Sequence, residues 1–292
     1  MPDLLSLRHG GALLATLLVA AVLCAGCTTG IENRTSSSAE TLSVTGSTTV
    51  LPIAQLTAEA FMAENPSVDI RIGGGGSSVG IQAVGEGTAD IGMASRDLKD
   101  TEKEAYPGLV GHAVALDGIA VIVNPENSVG SLTMDELRGI YNGTYTNWNE
   151  VGGPDMEIVV TGRDSASGTR EFFYDVVMKK EDFVETQLEK NSNGAVKQTV
   201  AQTPGAVGYV GLGYIDESVK ALSIDAGNGP VEPTVRNTED GAYPIARELL
   251  MFTRGEPTGL AAEYLSFISG PEGRQIVRDE GFVPLGGNRT AP

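Results

Sequence analysis

Short apolar and β-branched runs alternate with stretches of helical periodicity from residue 41 onward, a pattern typical of an α/β fold. The strand-like segments are 41–44, 68–72, 89–94, 112–123, 157–161, 205–210 and 249–253. Helical patterns cover 52–65, 77–84, 132–141, 168–178 and 259–269. The apolar run at 112–123 is long enough to pass from one part of the fold into another, and Asp117-Gly118 predicts a break within it.

The first helical pattern is bounded by two prolines. Pro52 suits the first turn of a helix because its φ angle is already fixed, and the helix is expected to stop before Pro66. Its apolar positions, Ile53, Leu56, Ala60 and Phe61, are predicted to share the buried face.

The N-terminus has the pattern of an export signal. Arg8 precedes an apolar run at 12–23 that is too short to span a bilayer, which predicts a signal peptide over 1–26. Ala25-Gly26 before Cys27 resembles the lipobox of exported lipoproteins, in which the cysteine is lipidated and becomes the new N-terminus. Position 24 is cysteine rather than the usual leucine, so simple cleavage or an uncleaved anchor stays open. Residues 27–40 are rich in Ser and Thr and are predicted to be a flexible linker.

Composition excludes several classes of partner and chemistry. The chain has 292 residues, enough for one large domain or two smaller ones, and a formal net charge of −18. A surface this acidic repels nucleic acid and anionic lipid headgroups. Beyond residue 26 the chain keeps one cysteine, Cys27, and one histidine, His112, too few for a zinc site, a redox dithiol or a disulfide. His112 is interpreted as an ordinary residue at the end of a strand.

Three turns of similar composition precede predicted helices. They are Gly46-Ser47-Thr48-Thr49, the glycine-rich stretch 73–78, and 163–169, which begins with Arg163. Free amide groups at a helix N-terminus attract anions, hydroxyl groups add donors, and glycine allows close approach. The Ser and Thr residues could serve only as helix caps. Three such turns together with Arg163 nevertheless favour an oxyanion site.

Two enzymatic alternatives have weaker support. No lysine follows the glycine-rich stretch, so the phosphate-binding pattern of NTPases fails. Residues 76–80 match the G-x-S-x-G pattern of a hydrolase nucleophile, but the one available base, His112, follows too soon along the chain. A serine hydrolase or phosphoesterase is therefore disfavoured.

Several motifs together resemble the periplasmic phosphate-binding protein of the phosphate ABC transporter, over about residues 41–285. They are Gly46 to Pro52, Gly76-Ser77-Ser78, Asp90 to Arg96, Ile140 to Gly143, Asn147-Trp148, Arg163 to Arg170, and Gly205 to Tyr209. The resemblance implies the type II periplasmic-binding-protein-like α/β fold, with two lobes joined by two crossover segments. The first lobe would comprise 41–115 and 230–292, and the second 116–229.

The same resemblance implies a binding protein and not an enzyme, with no cofactor or metal. It would capture inorganic phosphate between its lobes and deliver it to a membrane permease and ATPase. A monomer is expected, held by its lipid at the outer face of the cytoplasmic membrane or released in the periplasm. Sulfate and molybdate are the nearest alternative ligands.

Residue by residue, the resemblance places phosphate contacts in the three turns and after the third strand. The predicted ligand-binding residues are Thr48, Thr49, Ser77, Ser95, Arg96, Asp97, Arg163, Ser167, Gly168 and Thr169. In part of the family an aspartate accepts the proton of the bound phosphate. The segment that would hold it is one residue longer here, so Asp97, and after it Asp164, are the candidates. An aspartate beside an arginine could instead only brace that arginine.

Overall fold

The structure is a computed structural model, and it describes residues 39–285. The predicted signal peptide, most of the predicted linker and Cys27 lie outside these residues. The strands are β1 Glu40–Gly46, β2 Val68–Gly74, β3 Ile91–Ala94, β4 Leu109–Val123, β5 Ser131–Thr133, β6 Val159–Arg163, β7 Leu188–Lys190, β8 Ala206–Gly211, β9 Lys220–Ala221, β10 Ser223–Asp225, β11 Pro230–Val231, β12 Ala246–Arg254 and β13 Val283–Pro284. The helices are α1 Leu51–Glu64, α2 Ser77–Glu86, α3 Asp100–Ala105, α4 Met134–Tyr141, α5 Gly168–Val176, α6 Asn193–Gln202, α7 Val235–Glu239, α8 Gly259–Ser269 and α9 Pro271–Asp279. Short 3-10 helices occur at Trp148–Val151 and Leu212–Tyr214.

The α/β class is confirmed, and the predicted strands and helices end within three residues of observed ones. One predicted helix, 132–141, is divided into β5 and α4, because Thr133 caps α4 by accepting the amide proton of Glu136 at 3.1 Å. A second difference concerns the face of α1. Leu56 is exposed, whereas Ala54, Thr57 and Ala58 are buried, since α1 packs against α8, where the Thr57 hydroxyl lies 2.9 Å from that of Tyr264.

Eight strands form a continuous hydrogen-bonded path in the order β2-β1-β3-β12-β4-β8-β6-β7. Strands β2, β1 and β3 are parallel at one end, β8, β6 and β7 are parallel at the other, and antiparallel β12 and β4 lie between. A smaller sheet has the order β11-β10-β5. Strand β4 has 15 residues and, at about 3.3 Å per residue, is roughly 50 Å long. It is therefore long enough to extend from the first group of parallel strands to the second.

Strand β4 also connects two hydrophobic cores. The first core takes Val114 and Ala115 from β4 and is completed by α1, α8 and α9. The second takes Ile119, Val121 and Val123 and is completed by side chains from α4, α5 and β8. Two segments join the cores, at 115–119 and 245–249. The lobe boundaries inferred from the sequence remain a prediction; the segment after residue 230 contributes Tyr243 and Ile245 to the second core.

The expected break at Asp117-Gly118 does not occur. β4 is continuous, and its ladder with β12 pairs Asp117 with Arg247 and Gly118 with Ala246. A Cβ at position 118 would lie 2.8 Å from the Thr238 hydroxyl, so this glycine allows close packing and does not end the strand. The prediction was wrong because a charged residue can stay in a buried strand when its cross-strand partner carries the opposite charge.

Candidate functional site

The three turns meet where the two cores face each other. We call residues 46–49 the first turn, 73–78 the second and 163–169 the third; they lead into α1, α2 and α5. The Ser78 amide donates to the Ala166 carbonyl at 3.1 Å, which joins the second and third turns. The hydroxyl oxygens of Thr49 and Thr169 lie 3.0 Å apart, which joins the first and third.

Glycine allows this close approach. A Cβ at Gly168 would lie 2.3 Å from the Ser77 hydroxyl oxygen and 2.9 Å from that of Ser95. Any side chain at position 168 would therefore push the third turn away from the second and from the end of β3.

A cluster of buried hydroxyl groups results, comprising Thr48, Thr49, Ser77, Ser95, Ser167 and Thr169. Ser77 accepts the Ser95 amide proton at 3.0 Å, and Ser167 caps α5 by accepting the Arg170 amide proton at 3.2 Å. A hydroxyl that accepts such a bond still has its own proton to donate. Helices α2 and α5 begin at Ser77 and Gly168, so the positive ends of two helices lie at the cluster. The arrangement is rich in donors and suits an anion.

Arg163 ends β6 and is 1% exposed. Its Nε donates to the Lys190 carbonyl and its Nη2 to the Asn191 carbonyl, each at 3.2 Å. Lys190 is the last residue of β7, and Asn191 is the residue after it. Burial lowers the pKa of Arg163. Within residues 39–285, no carboxylate lies within ion-pair distance of it. A buried guanidinium held only by neutral carbonyls calls for an anion to balance its charge.

Arg96 and Asp97 do not join this cluster. Arg96 donates two hydrogen bonds of 2.7 Å to the Glu102 carboxylate and one of 3.0 Å to the Ser78 hydroxyl. Asp97 is exposed. Partial burial raises the pKa of Glu102, but the hydrogen bonds from Arg96 and the Lys99 amide outweigh it, so the pKa is below the usual range.

Asp164 is half-buried within the third turn. One of its carboxylate oxygens is buried without a hydrogen-bond partner among the described residues. Two backbone carbonyls accept hydrogen bonds from Arg163, and the nearby charge of Asp164 acts to raise the arginine's pKa. The alternative that Asp164 only braces Arg163 stays a prediction.

Two residues that the sequence reasoning missed lie at the centre of the cluster. Asp117 and Arg247 face each other across β4 and β12, with Oδ2 of Asp117 2.9 Å from Nη2 and 3.2 Å from Nε of Arg247. Both side chains are almost completely buried. Burial raises the pKa of Asp117, although Arg247 partly opposes this, and burial lowers the pKa of Arg247.

Arg247 also connects separate parts of the site. Its Nη2 donates to the Thr169 hydroxyl at 2.9 Å and lies 3.4 Å from that of Thr49, and its Nη1 donates to the Ser95 carbonyl at 2.9 Å. Asp117 Oδ1 in turn accepts the Leu212 amide proton at 2.9 Å. The pair therefore aligns the first turn, the third turn and the ends of β3 and β8. The sequence contained one signal for this pair, namely an aspartate, Asp117, inside the apolar run 112–123. The sequence analysis interpreted that aspartate as a break in the strand.

Asn193 is a third missed residue. It is the first residue of α6, and its Nδ2 donates to the hydroxyls of Thr48 at 3.0 Å and Thr49 at 3.1 Å. Its Oδ1 accepts the Gly211 amide proton at 3.3 Å. Ser192, which caps α6 by accepting the Ala195 amide proton, was the local signal for this helix.

The residues of the alternative chemistries lie elsewhere. His112 is half-buried on β4, where Nε2 lies 2.8 Å from the Thr253 hydroxyl, in keeping with an ordinary strand residue. Ser78 of the G-x-S-x-G pattern accepts from Arg96 rather than contacting a base. No group of His, Cys, Asp and Glu suited to a metal ion occurs within 39–285. Over the same range, no helix is both long and apolar enough to cross a membrane.

Comparison with known proteins identifies the family. The family model of a PBP superfamily domain matches residues 32–272. The phosphate-binding protein PstS of Bacillus subtilis (strain 168) is 36% identical, and the match covers 94% of each chain. The PstS of Pseudomonas aeruginosa is 31% identical over 84% of this chain and 83% of its own. The chain belongs to the PstS family of phosphate-binding proteins.

Solved structures of PstS-like proteins support the same fold. A putative phosphate ABC transporter substrate-binding protein from Clostridium perfringens, with bound phosphate, has a TM-score of 0.80 and 38% identity, covering 84% of this chain and 100% of its own. An ABC-type phosphate transport receptor from Vibrio cholerae has a TM-score of 0.69 and 32% identity over the same shares of the two chains. The expected two-lobed, type II α/β fold is confirmed.

Proposed function

We propose that this protein captures inorganic phosphate between its two lobes and delivers it to the permease and ATPase of a phosphate ABC transporter. The observation that carries the proposal is Arg163, a buried guanidinium without a carboxylate partner in the described chain, beside a cluster of buried hydroxyls. The relatives' names support phosphate as the anion. The protein acts by binding and release and is not an enzyme.

The proposed ligands are the hydroxyls of Thr48, Thr49, Ser77, Ser167 and Thr169, the amides at the starts of α2 and α5, and Arg163. A net charge of −18 repels phosphate at long range. Capture therefore relies on short-range donors in a site that excludes water, where hydrogen bonds to a charged group are strong. Ser95 belongs to the same hydroxyl cluster and is a further proposed ligand. Phosphate contacts from Arg96 and Asp97 remain a prediction made from the resemblance alone.

Selection of phosphate over sulfate requires an acceptor for the proton of hydrogenphosphate. Fully ionised sulfate has no such proton. Its oxygen and the carboxylate oxygen would then face each other with lone pairs only, and this repulsion disfavours sulfate. Asp97 and Asp164 remain the sequence-based candidates. Asp117 is a third, favoured because it is fully buried and its partner Arg247 contacts Thr49 and Thr169.

A calorimetric titration of the wild-type protein with phosphate, sulfate and molybdate tests the function. We expect saturable binding of one phosphate per chain and much weaker binding of the other two anions. Preference for sulfate or molybdate would assign the site to another tetrahedral oxyanion, and no binding of any of them would overturn the proposal.

The location of the protein is a separate part of the proposal. The sequence supports export, removal of residues 1–26 and lipidation of Cys27, with the protein a monomer at the outer face of the cytoplasmic membrane or in the periplasm. Cys27→Ser should release the protein from membranes and lower its mass by the lipid. A variant with unchanged mass and unchanged membrane association would contradict lipidation.

A further inference from the structure

An ion cluster lies beside the hydroxyl cluster and connects the two lobes. The Glu171 carboxylate lies 2.7 Å from Lys99 Nζ and 3.0 Å from Arg96 Nε. The contact with Arg96 is electrostatic, because its N–H does not point at the carboxylate oxygen. We call Arg96, Lys99 and Glu171 the interlobe ion cluster.

The two sides of this cluster belong to different cores. Arg96 lies two residues after the end of β3, whose Ile91 and Met93 pack in the first core. Glu171 lies on α5, whose Phe173 packs in the second. The ion pairs therefore form only when the two lobes are close together.

The first-lobe side is held in position in advance. Glu102 accepts two hydrogen bonds from Arg96, and the Ser78 hydroxyl accepts a third. The Arg96 side chain is 5% exposed and that of Glu171 is 27% exposed, so water screens their attraction less than it screens an ordinary surface pair. Little conformational freedom is lost when Glu171 arrives at a partner that is already ordered.

Glu171 is also close in sequence to the anion site. It follows Thr169 by two residues within the first turn of α5, the helix whose N-terminus faces the hydroxyl cluster. An anion that draws the start of α5 toward the first lobe brings Glu171 to Arg96 and Lys99 in the same movement.

We propose that the interlobe ion cluster holds the lobes closed over the bound anion and so sets the rate of its release. The inference rests on the proposed function. Lys99 and Glu171 are positioning residues, and Arg96 enters this inference through its ion pair with Glu171: the cluster acts by stabilising the closed state of the protein.

The test measures how fast radiolabelled phosphate leaves the protein in an excess of unlabelled phosphate. Glu171→Gln should release phosphate about three- to tenfold faster than wild type, the range expected for a partly buried ion pair. Association rate and thermal unfolding without phosphate should not change, because the pairs form only in the closed state. Asp216→Asn is the matched control: it removes a 2.7 Å ion pair with Lys197 between α6 and the segment after β8, and it should alter release by less than about twofold.

A double-mutant cycle separates the ion cluster from a general loss of charge. Lys99→Met should speed release in the wild-type background and have no further effect in Glu171→Gln. Additive effects, or release from Glu171→Gln at the wild-type rate, would overturn the inference while leaving phosphate binding intact. Failure of the wild-type protein to bind phosphate would instead overturn the proposed function, and this inference with it.

Discussion

The three turns and the Asp117–Arg247 pair meet in one buried cluster but are assembled differently. Each turn is a short continuous segment that leads into a helix, so its donors are brought together locally. Asp117 and Arg247 are 130 residues apart and meet because β4 and β12 align them as direct cross-strand neighbours. Local structure thus supplies the donors, and tertiary structure supplies the pair that aligns them.

The two buried arginines differ accordingly. Arg247 is neutralised by Asp117, whereas Arg163 is held by two backbone carbonyls. An arginine that is paired with a carboxylate adds no net attraction for an anion. Removing that arginine, however, leaves the buried charge of its carboxylate partner unpaired. We therefore expect Arg247 to matter most for stability and Arg163 most for binding.

Arg247→Met should have the largest effect on stability. Asp117 would remain buried and unpaired, at a cost of about 3 to 5 kcal/mol in the free energy of unfolding measured with urea. The double variant Asp117→Leu/Arg247→Met should recover most of this loss, because no buried charge remains. A single variant of nearly wild-type stability, or a double variant no more stable than the single, would contradict the role given to the pair.

Asp117→Asn tests whether the strand pair also selects the anion. Asparagine replaces one of the two acceptor oxygens of Asp117 by a donor NH2 group, which disfavours protonated phosphate and no longer repels sulfate. The difference between the phosphate and sulfate binding free energies should therefore narrow by about 1 to 3 kcal/mol. Asp97→Asn and Asp164→Asn, measured by the same titrations, are the comparison. The acceptor would be Asp164 or Asp97 if the narrowing occurred in one of those variants and not in Asp117→Asn.

Gly168→Ala tests how closely the turns must approach. The new methyl group would overlap the Ser77 hydroxyl, so we expect phosphate binding to weaken by about 1 to 3 kcal/mol. Gly194→Ala is the control, since a Cβ at this position in α6 has no atom within 4 Å. Equal binding by the two variants would show that the turns can separate without loss of the site.

Much of the fold and the turn half of the site could be predicted from sequence. Strand periodicity, Pro52 and the Gly-Ser-Thr turns are local signals, and they correctly indicated β1, α1, α2 and α5. The partner of Asp117 could not be predicted, because cross-strand register depends on how distant segments align. Asn193 was missed for a related reason: α6 buries few apolar residues, and its contact with Thr48 exists only once the lobes meet.

The orientation of the Arg96 side chain could not be predicted from the sequence, for a different reason. The resemblance supplied a residue position but not a direction for its side chain, and Glu102, six residues later, accepts two hydrogen bonds from the guanidinium. The same contact places Arg96 in the interlobe ion cluster. The prediction that Arg96 contacts the ligand stays a prediction.

The most direct test of the account is phosphate binding by Arg163→Ala, measured calorimetrically beside Arg236→Ala, which removes an exposed arginine of α7. We predict that Arg163→Ala loses about 2 to 5 kcal/mol of binding free energy and that Arg236→Ala loses none, with both titrations made on folded protein. Undiminished phosphate affinity in a folded Arg163→Ala protein would contradict the assignment of the anion to the three turns.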